Sequence, residues 1–450
     1  MSVVHHLPPG WLLDHLSFIN KVNYQLCQHQ EPFCSKNKPT SSVYLDSLQP
    51  DPVSPFGTPA PCFAPDATTV LDKEDGGSCE VITQKYVFRS ELFNVTKPYI
   101  TPAVHKKDQQ SKKDENLVTG EKQEVSVSVG KIRELILDGS SQLIQEGLRS
   151  GFLFPLVEKH DGSSGRITLP LDACNLSELC EMAKHLPSLN DMELQTLQLM
   201  GDDVFVTELD LSSRIIENNS SFSKMITLMG QRYLLPPKSS FLLSDISCMQ
   251  PLLNCSKTFD VIVIDPPWEN KSVKRSNRYN SLSPQQIKRM PVPKLAAPDC
   301  LVVTWVTNRQ KHLCFVKEEL YPSWSVEVIA EWYWVKITNS GEFVFPLDSL
   351  HKKPYECLVL GRVKEKTALA LRNEAVRTPP VPDQRLIVSV PCALHSHKPP
   401  LAEVLKDYIK PGGQCLELFA RNLQPGWMSW GNEVLKFQHM DYFIALESGQ

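Results

Sequence analysis

The sequence predicts an α/β fold in its C-terminal half, preceded by a largely helical middle domain and a partly disordered N-terminal region. Short apolar runs alternate with helix-length segments over residues 231–450, and apolar positions three and four apart recur over residues 126–230. Proline-rich and charged stretches interrupt residues 1–125. A chain of 450 residues is longer than one ordinary domain. We therefore expect three parts with these boundaries.

Residues 1–125 contain little that can fold alone. Trp11–Val22 has the apolar spacing of a short helix, and Cys79–Leu92 alternates well enough for one or two strands. Six of the sixteen residues from Pro50 to Pro65 are proline, which excludes a regular helix or a central strand. His105–Glu124 is almost wholly charged or amide and too poor in apolar residues to fold. We expect the last two stretches to be linkers.

Residues 126–230 have a helical rhythm. Apolar side chains stand three and four residues apart at Ile132, Leu135, Ile136, Leu143, Ile144 and Leu148. This spacing gives a helix one apolar face. It predicts a small, largely helical domain.

Residues 231–450 contain six short apolar runs, which are Phe259–Asp265, Cys300–Val306, Val326–Lys336, Tyr355–Val363, Arg385–Val390 and Gln414–Ala420. Their nearly continuous β-branched and aromatic character is typical of strands buried on both faces. The intervening stretches Ser283–Lys294 and Leu401–Ile409 are of helix length. The alternation indicates a doubly wound α/β sheet, and such sheets bind ligands at the carboxyl ends of their strands.

Charge and cysteine usage narrow the class of protein. The net charge of −4 divides into +6 for residues 231–450 and −10 for residues 1–230, so the C-terminal half can attract a polyanion. The thirteen cysteines show no C-x-x-C spacing, and we expect no metal site. Several lie in apolar runs, which favours a reducing compartment. We expect no membrane span and a nuclear and cytosolic protein, with a mitochondrial fraction left open.

The most informative motif is Asp265-Pro266-Pro267-Trp268, directly after a predicted buried strand. The amino group of adenine is a poor nucleophile because its lone pair is delocalised into the ring. Asp265 and the Pro266 carbonyl can accept hydrogen bonds from that amino group, and Trp268 can stack on the base. These residues therefore predict methyl transfer to an exocyclic amine. The alternative is a strand-ending Asp with a proline turn and a core Trp.

The segments around this motif, from FDVIVIDPPWENKSVKRSNRYNSLS through LELFARNLQPGWMSWGNE, resemble the DPPW-type adenine amino-methyltransferases of the beta class. The resemblance covers roughly residues 233–450 and implies a Rossmann-like S-adenosylmethionine-dependent sheet with permuted motif order. It implies donor contacts at Asp245, Ile246, Asp265, Lys398, Arg421, Asn422, Asn432 and Glu433. Relatives have a longer loop after the matched Arg, and many have Gln where Glu433 stands.

A basic run follows the motif, and residues 271–294 contain no acidic residue. Its basic members are Lys271, Lys274, Arg275, Arg278, Lys288, Arg289 and Lys294. Its place after the motif predicts a gate that grips substrate phosphates. Tyr279, inside the run, resembles the gate-loop tyrosine of relatives. The alternative is an ordinary solvated face.

The resemblance implies an N6-adenine methyltransferase acting on nucleic acid. It favours RNA, in particular 2′-O-methylated adenosine in small nuclear RNA, and hence a role related to splicing. DNA adenine is the alternative substrate, and a non-catalytic nucleic-acid-binding module is a second alternative. The intact motif argues against the latter. The oligomeric state stays open, and we expect activity without an obligate partner.

Overall fold

The structure is a computed structural model. It describes residues 2–28, 82–99, 119–155, 196–199, 203–205, 211, 214–269, 281–349, 352–364 and 378–446. The strands are β1 (Val3–Leu7), β2 (Gly10–Leu13), β3 (Tyr24–Gln28), β4 (Ile82–Phe88), β5 (Thr196–Gln198), β6 (Asp203–Phe205), β7 (Ile215–Asn218), β8 (Lys224–Leu228), β9 (Gln231–Leu235), β10 (Ser239–Leu242), β11 (Phe259–Ile264), β12 (Ala296–Val306), β13 (Val326–Lys336), β14 (Tyr355–Val363), β15 (Gln384–Ser389), β16 (Cys415–Leu418), β17 (Trp427–Trp430) and β18 (Phe443–Ala445). The α-helices are α1 (His15–Lys21), α2 (Thr119–Arg149), α3 (Gln250–Asn254), α4 (Pro284–Lys288), α5 (Val292–Leu295), α6 (Gln310–Cys314), α7 (Tyr321–Ser323) and α8 (Ala402–Leu405).

A central sheet holds twelve of these strands in the order β1-β2-β15-β13-β14-β12-β11-β16-β17-β10-β7-β5. The pairings make β2, β15, β13, β12, β11, β16, β17 and β10 run in one direction. The carboxyl ends of these eight strands therefore share one edge of the sheet. The α/β class is confirmed as a mixed, mostly parallel sheet with few helices.

All six apolar runs predicted as strands are strands of this sheet. β13 and β14 have the predicted bounds, and the other four differ by a few residues at their ends. These runs lack a polar alternation because their strands are buried on both faces. Ile262, Leu301 and Leu358, for example, are fully buried. The two predicted helices are shorter than expected. Ser283–Lys294 divides into α4 and α5, and Leu401–Ile409 holds α8 and a 3-10 turn.

The prediction of one helix over Trp11–Val22 is wrong in its first part. Residues Gly10–Leu13 form β2, which is buried throughout and pairs in parallel with β15. The helix starts at His15 because the Asp14 side chain caps it, accepting from the Ser17 backbone N–H at 2.9 Å. The apolar spacing fitted both structures, and pairing with β15 selected the strand.

Gly10 permits this pairing. Its φ is +152°, and a Cβ there would lie 1.9 Å from the Leu386 backbone oxygen. The Leu386 N–H donates to the Pro9 carbonyl at 2.8 Å. The first residues of the chain are thus part of the central sheet, beside strands of the predicted catalytic part.

The described residues of 126–230 contain the greater part of α2 and strands β5 to β8. α2 packs on β1, β2 and β15 through Ile136 and Leu143, both fully buried. α2 begins at Thr119, so the prediction that His105–Glu124 does not fold is wrong in its last residues. These residues extend a helix that already exists, and each residue added to a helix gains a hydrogen bond. A largely helical middle domain is therefore not confirmed. β8 and β9 also pair across residue 230, and the three-part division stays a prediction.

Two three-stranded sheets complete the described fold, in the orders β18-β4-β3 and β6-β8-β9. The first joins the N-terminal and C-terminal parts of the chain, since β4 pairs with both β3 and β18. Within the described residues, no helix is long and apolar enough to cross a membrane. The proline-rich stretch Pro50–Pro65 lies outside the described residues.

Candidate active site

A cavity of about 550 Å³ opens at the carboxyl edge of the central sheet, beside the end of β11. Asp265, Pro266, Trp268, Lys398 and Arg421 all contribute to its wall. This volume is within the range that small-molecule sites occupy. The structure therefore brings three of the four motif residues and two further predicted donor-contacting residues to one cavity.

Seven side chains of alternating sign form a chain of ion pairs along this edge. We call it the charge chain, and its order is Lys336, Glu356, Lys398, Asp265, Arg421, Glu433 and Lys436. Asp265 is in the middle, with Oδ2 2.7 Å from Arg421 Nη1 and Oδ1 3.7 Å from Lys398 Nζ. The motif carboxylate is therefore held between two cations and still lines the cavity.

Backbone geometry places both cationic partners of Asp265. Phe419, two residues before Arg421, has a φ of +60°, and Ser396, two residues before Lys398, has a φ of +64°. Neither is glycine, and such left-handed backbone is unfavourable by about 1 kcal/mol or more for each residue. Sharp turns just after β16 and just before Lys398 thus direct both cations toward Asp265.

The charge chain lowers the pKa of Glu356 and raises the pKa of Lys398. Burial alone would raise the pKa of Glu356, but the ammonium groups of Lys336 and Lys398 outweigh it and hold that pKa far below its usual range. Burial alone would lower the pKa of Lys398, but the Asp265 and Glu356 carboxylates outweigh it and raise that pKa. Lys398 also lies 4.9 Å from the centre of the Trp305 ring. Both groups are therefore charged at neutral pH.

Glu433 continues the chain beyond Asp265. Its Oε2 accepts from Arg421 Nε at 3.0 Å, and its Oε1 lies 2.7 Å from Lys436 Nζ. Burial raises the pKa of Glu433, but Lys436 and Arg421 outweigh that effect and lower it. An ionised carboxylate can accept hydrogen bonds from hydroxyl groups. Glu433 is thus suited to the ribose contact that the resemblance implies.

Glu417, in β16, has a raised pKa, in contrast to Glu433. Burial, and next the nearby Asp265 carboxylate, raise its pKa to about 7, and Gln424 Nε2 donates to its Oε2 at 3.2 Å. The Gln424 Oε1 is buried and has no partner among the described residues. A protonated Glu417 could supply the missing donor.

Glu417 should make stability fall as the pH rises. Its folded pKa lies above the unfolded value, so its contribution is fully present below about pH 4.5 and is lost as the pH rises through about 7. We expect Glu417→Gln to raise the free energy of unfolding by about 1–3 kcal/mol at pH 8 and to change it little at pH 5. Melting temperatures of both proteins across this range test it. Parallel pH curves would contradict the assignment.

Trp268 is more deeply packed than base stacking requires. It is 6% exposed, its ring stacks on His312 with centroids 4.8 Å apart, and its Nε1 donates to the Trp305 carbonyl at 2.8 Å. Burial, with Arg309 and Lys311, lowers the pKa of His312, which keeps that ring neutral. Part of Trp268 still lines the cavity, so stacking on a base stays a prediction.

We expect Trp268→Ala to lower stability more than substrate affinity. Removing a buried tryptophan costs about 3–5 kcal/mol of folding free energy, whereas base–aromatic stacking contributes about 1–3 kcal/mol. Thermal denaturation and oligonucleotide affinity, measured on the same preparation, separate the two effects. An unchanged melting temperature with lost affinity would instead support a pure stacking role.

The comparisons with known proteins agree with this geometry. The MT-A70 family matches residues 259–433, which run from β11 through Glu433. N(6)-adenine-specific methyltransferase METTL4 of Mus musculus is 86% identical over the full length of both chains. The chain belongs to the METTL4 family of N6-adenine methyltransferases. The predicted family and the predicted class of enzyme are both confirmed.

More distant relatives resemble this METTL4-family chain over about half its length. N6-methyladenosine RNA methyltransferase MTA1 of Pyricularia oryzae is 36% identical, covering 48% of this chain and 58% of its own. DNA N6-methyl methyltransferase of Caenorhabditis elegans is 34% identical, covering 47% of this chain and 56% of its own. Homologues with the same domain are thus named for both nucleic acids.

Other predicted donor contacts of this METTL4-family chain are more dispersed. Asp245 and Ile246 follow β10, three strands from β11 in the sheet, and the Asp245 carboxylate accepts from the Ser247 N–H at 2.8 Å. Asn422 lines a smaller cavity beside His397. Asn432 is half-buried just after β17. The structure therefore leaves the donor roles of these four residues as predictions.

Most of the predicted basic gate falls outside the described residues, including Lys274, Arg275, Arg278 and Tyr279. Of the described part, Lys288 ends α4, and its Nζ lies 3.9 Å from a Glu319 carboxylate oxygen. Pro267 does not line the cavity, and its carbonyl accepts from the Leu282 N–H at 3.0 Å. This hydrogen bond joins the motif to Leu282, two residues before α4.

Two members of the charge chain, Lys336 and Glu356, were only weakly indicated by the sequence. Lys336 is the last residue of β13 and Glu356 the second residue of β14, where the two strands pair. A charged residue near the end of a mostly apolar strand was the signal that could have found them. No group of three or more metal-binding side chains occurs in the part of the chain that the structure describes.

Proposed function

We propose that this chain transfers a methyl group from S-adenosylmethionine to N6 of adenosine in RNA. We further propose that the target adenosine is already 2′-O-methylated and belongs to small nuclear RNA, which gives the enzyme a splicing-related role in the nucleus. The observation that carries methyl transfer is the position of Asp265. Its carboxylate is buried, is held by two cations and still faces a cavity that can take a base.

The residues of the cavity fit S-adenosylmethionine, the donor that MT-A70 methyltransferases generally use. The donor carries a carboxylate, an ammonium group, a sulfonium and ribose hydroxyls. Lys398, in the cavity wall, can pair with the carboxylate. Glu433, which is not in the wall but pairs with Arg421 of the wall, can accept from the hydroxyls. Alternating cations and carboxylates suit such a zwitterion. When bound, the donor supplies an electrophilic methyl carbon.

The chain's own residues would prepare the adenine. Asp265 Oδ1, the oxygen 3.7 Å from Lys398 Nζ, can accept one N–H of the amino group and the proton that N6 loses. The Pro266 carbonyl accepts from the Trp268 N–H at 2.8 Å and keeps a second lone pair for the other N–H. Holding both N–H groups directs the nitrogen lone pair at the methyl carbon. Orientation of this kind supplies much of the rate enhancement.

The proposed donor site implies a permuted order of motifs. Arg421 follows β16, which pairs with β11, and Glu433 follows β17, which pairs with β16. Both strands come after β11 in the chain. A donor strand later than the catalytic strand is the reverse of the common arrangement. Donor binding to Arg421 and Glu433 variants, measured by calorimetry, tests this part.

The preference for RNA rests on the resemblance and on the name of the Pyricularia oryzae relative. DNA adenine is the alternative, favoured by the name of the Caenorhabditis elegans relative. Either substrate must present an extruded or single-stranded base, which costs least in RNA loops and ends. A non-catalytic binding module is the remaining alternative.

The test is donor-dependent methylation by the full chain alone. Matched RNA and DNA oligomers should be compared, each with and without a 2′-O-methyl group on the target adenosine. We expect the 2′-O-methylated RNA to be the best substrate. Equal or faster methylation of DNA would favour the alternative, and no transfer to any oligomer would favour the binding module.

A further inference from the structure

The cavity wall carries more positive charge than the charge chain can balance. Six cationic side chains line it, against two carboxylates, among the residues that the structure describes. Both carboxylates, Asp265 and Glu356, already belong to ion pairs of the charge chain. Lys352 and Lys353 lie in this wall outside the charge chain, and their positive charge favours a polyanion that enters the cavity.

Part of this excess comes from the described residues between β13 and β14, 337–349 and 352–354, which we call the β13–β14 loop. It contributes Phe345, Lys352 and Lys353 to the cavity wall. Lys352 is exposed, with Nζ 5.4 Å from the centre of the Phe345 ring. The loop thus presents an aromatic face and two cations to the same cavity as Asp265.

A second aromatic ring extends this face. Tyr99 lies beside Phe345 with ring centroids 5.2 Å apart, and Tyr99 is 40% exposed. Few large apolar side chains of the described residues are so exposed, and this one adjoins the cavity wall. Exposed aromatic rings beside cations are the components with which proteins hold single-stranded nucleic acid.

The face is fixed in place before any ligand binds. The Tyr99 N–H donates to the Val344 carbonyl at 2.8 Å, which joins Tyr99 to the β13–β14 loop. Arg133 in α2 pairs with Asp348 of the loop at 2.9 Å. Two separate parts of the chain therefore brace the loop, and a preorganised wall loses little entropy on binding.

We propose that Tyr99, Phe345 and Lys352 form a subsite for the nucleotide next to the target adenosine. Its base stacks on Phe345, with Tyr99 extending the surface, and its phosphate pairs with Lys352 and Lys353. This proposal rests on the proposed function and names the part of the substrate that the β13–β14 loop binds. Stacking makes the subsite tolerant of base identity, because every base has an aromatic face.

The test combines a protein change with a substrate change in the full chain. Phe345→Leu keeps an apolar side chain against Tyr99 but removes the ring. Phe154→Leu, at an aromatic residue 54% exposed and outside the cavity wall, is the matched control. Each protein is assayed with the intact oligomer and with oligomers abasic at the 5′ or the 3′ neighbour of the target.

We expect Phe345→Leu to raise the KM for the intact oligomer roughly five- to thirtyfold, the lower part of the base–aromatic stacking range. The variant should lose nothing further with one of the two abasic oligomers, because the base that Phe345 contacts is already missing. That oligomer identifies the side on which the nucleotide binds. Donor affinity and the control variant should match the wild type.

Equal losses for Phe345→Leu on intact and on both abasic oligomers would overturn the subsite. The same comparison of wild type and Phe345→Leu on intact and abasic oligomers is also made by binding affinity. The subsite is therefore tested even without turnover. Failure of the proposed function would show differently, as no donor-dependent transfer by the wild type. Lys352→Gln should also flatten the slope of log affinity against log salt by roughly 0.7, and an unchanged slope would remove the phosphate contact.

Discussion

Asp265→Asn is expected to lower kcat by roughly 10²–10³-fold at saturating donor and RNA, the scale for losing one preorganised hydrogen-bonding group in an active site. Asparagine keeps the shape of the side chain but replaces one acceptor oxygen with a donor amide. It can no longer accept both from Arg421 and from the adenine amino group, nor take the proton that N6 loses. Single-turnover methylation measures the effect directly.

The conservative variant is needed because Asp265 is buried between two cations. Asp265→Ala would leave Arg421 and Lys398 without their shared carboxylate, and breaking a buried pair costs about 3–5 kcal/mol of folding free energy. Loss of activity would then be hard to separate from loss of folding. Asp407→Asn, at an exposed carboxylate outside the cavity wall, is the matched control. Turnover by Asp265→Asn within tenfold of the wild type would exclude the catalytic role.

Part of the site could be predicted from the sequence because Asp265 directly follows a buried strand. Continuous apolar character located β11, and the carboxyl end of such a strand is where α/β sheets bind ligands. Asp265 therefore followed from pattern and position. Lys398 and Arg421 did not, because their roles depend on turns at Ser396 and Phe419. Neither residue is glycine, and no periodicity in the nearby sequence predicts these turns.

The Glu356 pairings were beyond sequence reasoning for a topological reason. β14 runs antiparallel to both β12 and β13, so its first residues lie at the edge where the parallel strands end. Period and composition give no strand direction. Glu356 consequently contacts Lys336 and Lys398, which are 20 and 42 residues away in the chain.

The N-terminal part shows the same limit. The apolar spacing of Trp11–Val22 is compatible with helix or strand, and the decision came from a partner more than 370 residues later, when Leu386 pairs with Gly10. A fragment of residues 231–450 would lack β1, β2 and α2 and would expose the β15 edge of the sheet.

Glu356→Gln is expected to lower the free energy of unfolding substantially. Its carboxylate lies between Lys336 and Lys398, and the amide would leave both ammonium groups without their charge partner. We expect a loss of roughly 3 kcal/mol of unfolding free energy, the low end for a broken buried pair. The low end applies because the Glu356 side chain remains 24% exposed. Denaturant unfolding at neutral pH measures it, with the exposed Glu318→Gln as control.

The pH dependence distinguishes this ion pairing from simple loss of packing. The folded pKa of Glu356 is depressed, so its contribution is present above the unfolded value of about 4.5 and is lost as the pH falls toward the folded value. The difference in stability between wild type and Glu356→Gln should therefore be full near neutral pH and shrink below about pH 4. A difference that stays constant with pH would mean that the side chain acts by shape alone. Because Glu356 also holds Lys398 beside Asp265, the same variant should weaken donor binding at neutral pH, where the protein remains folded.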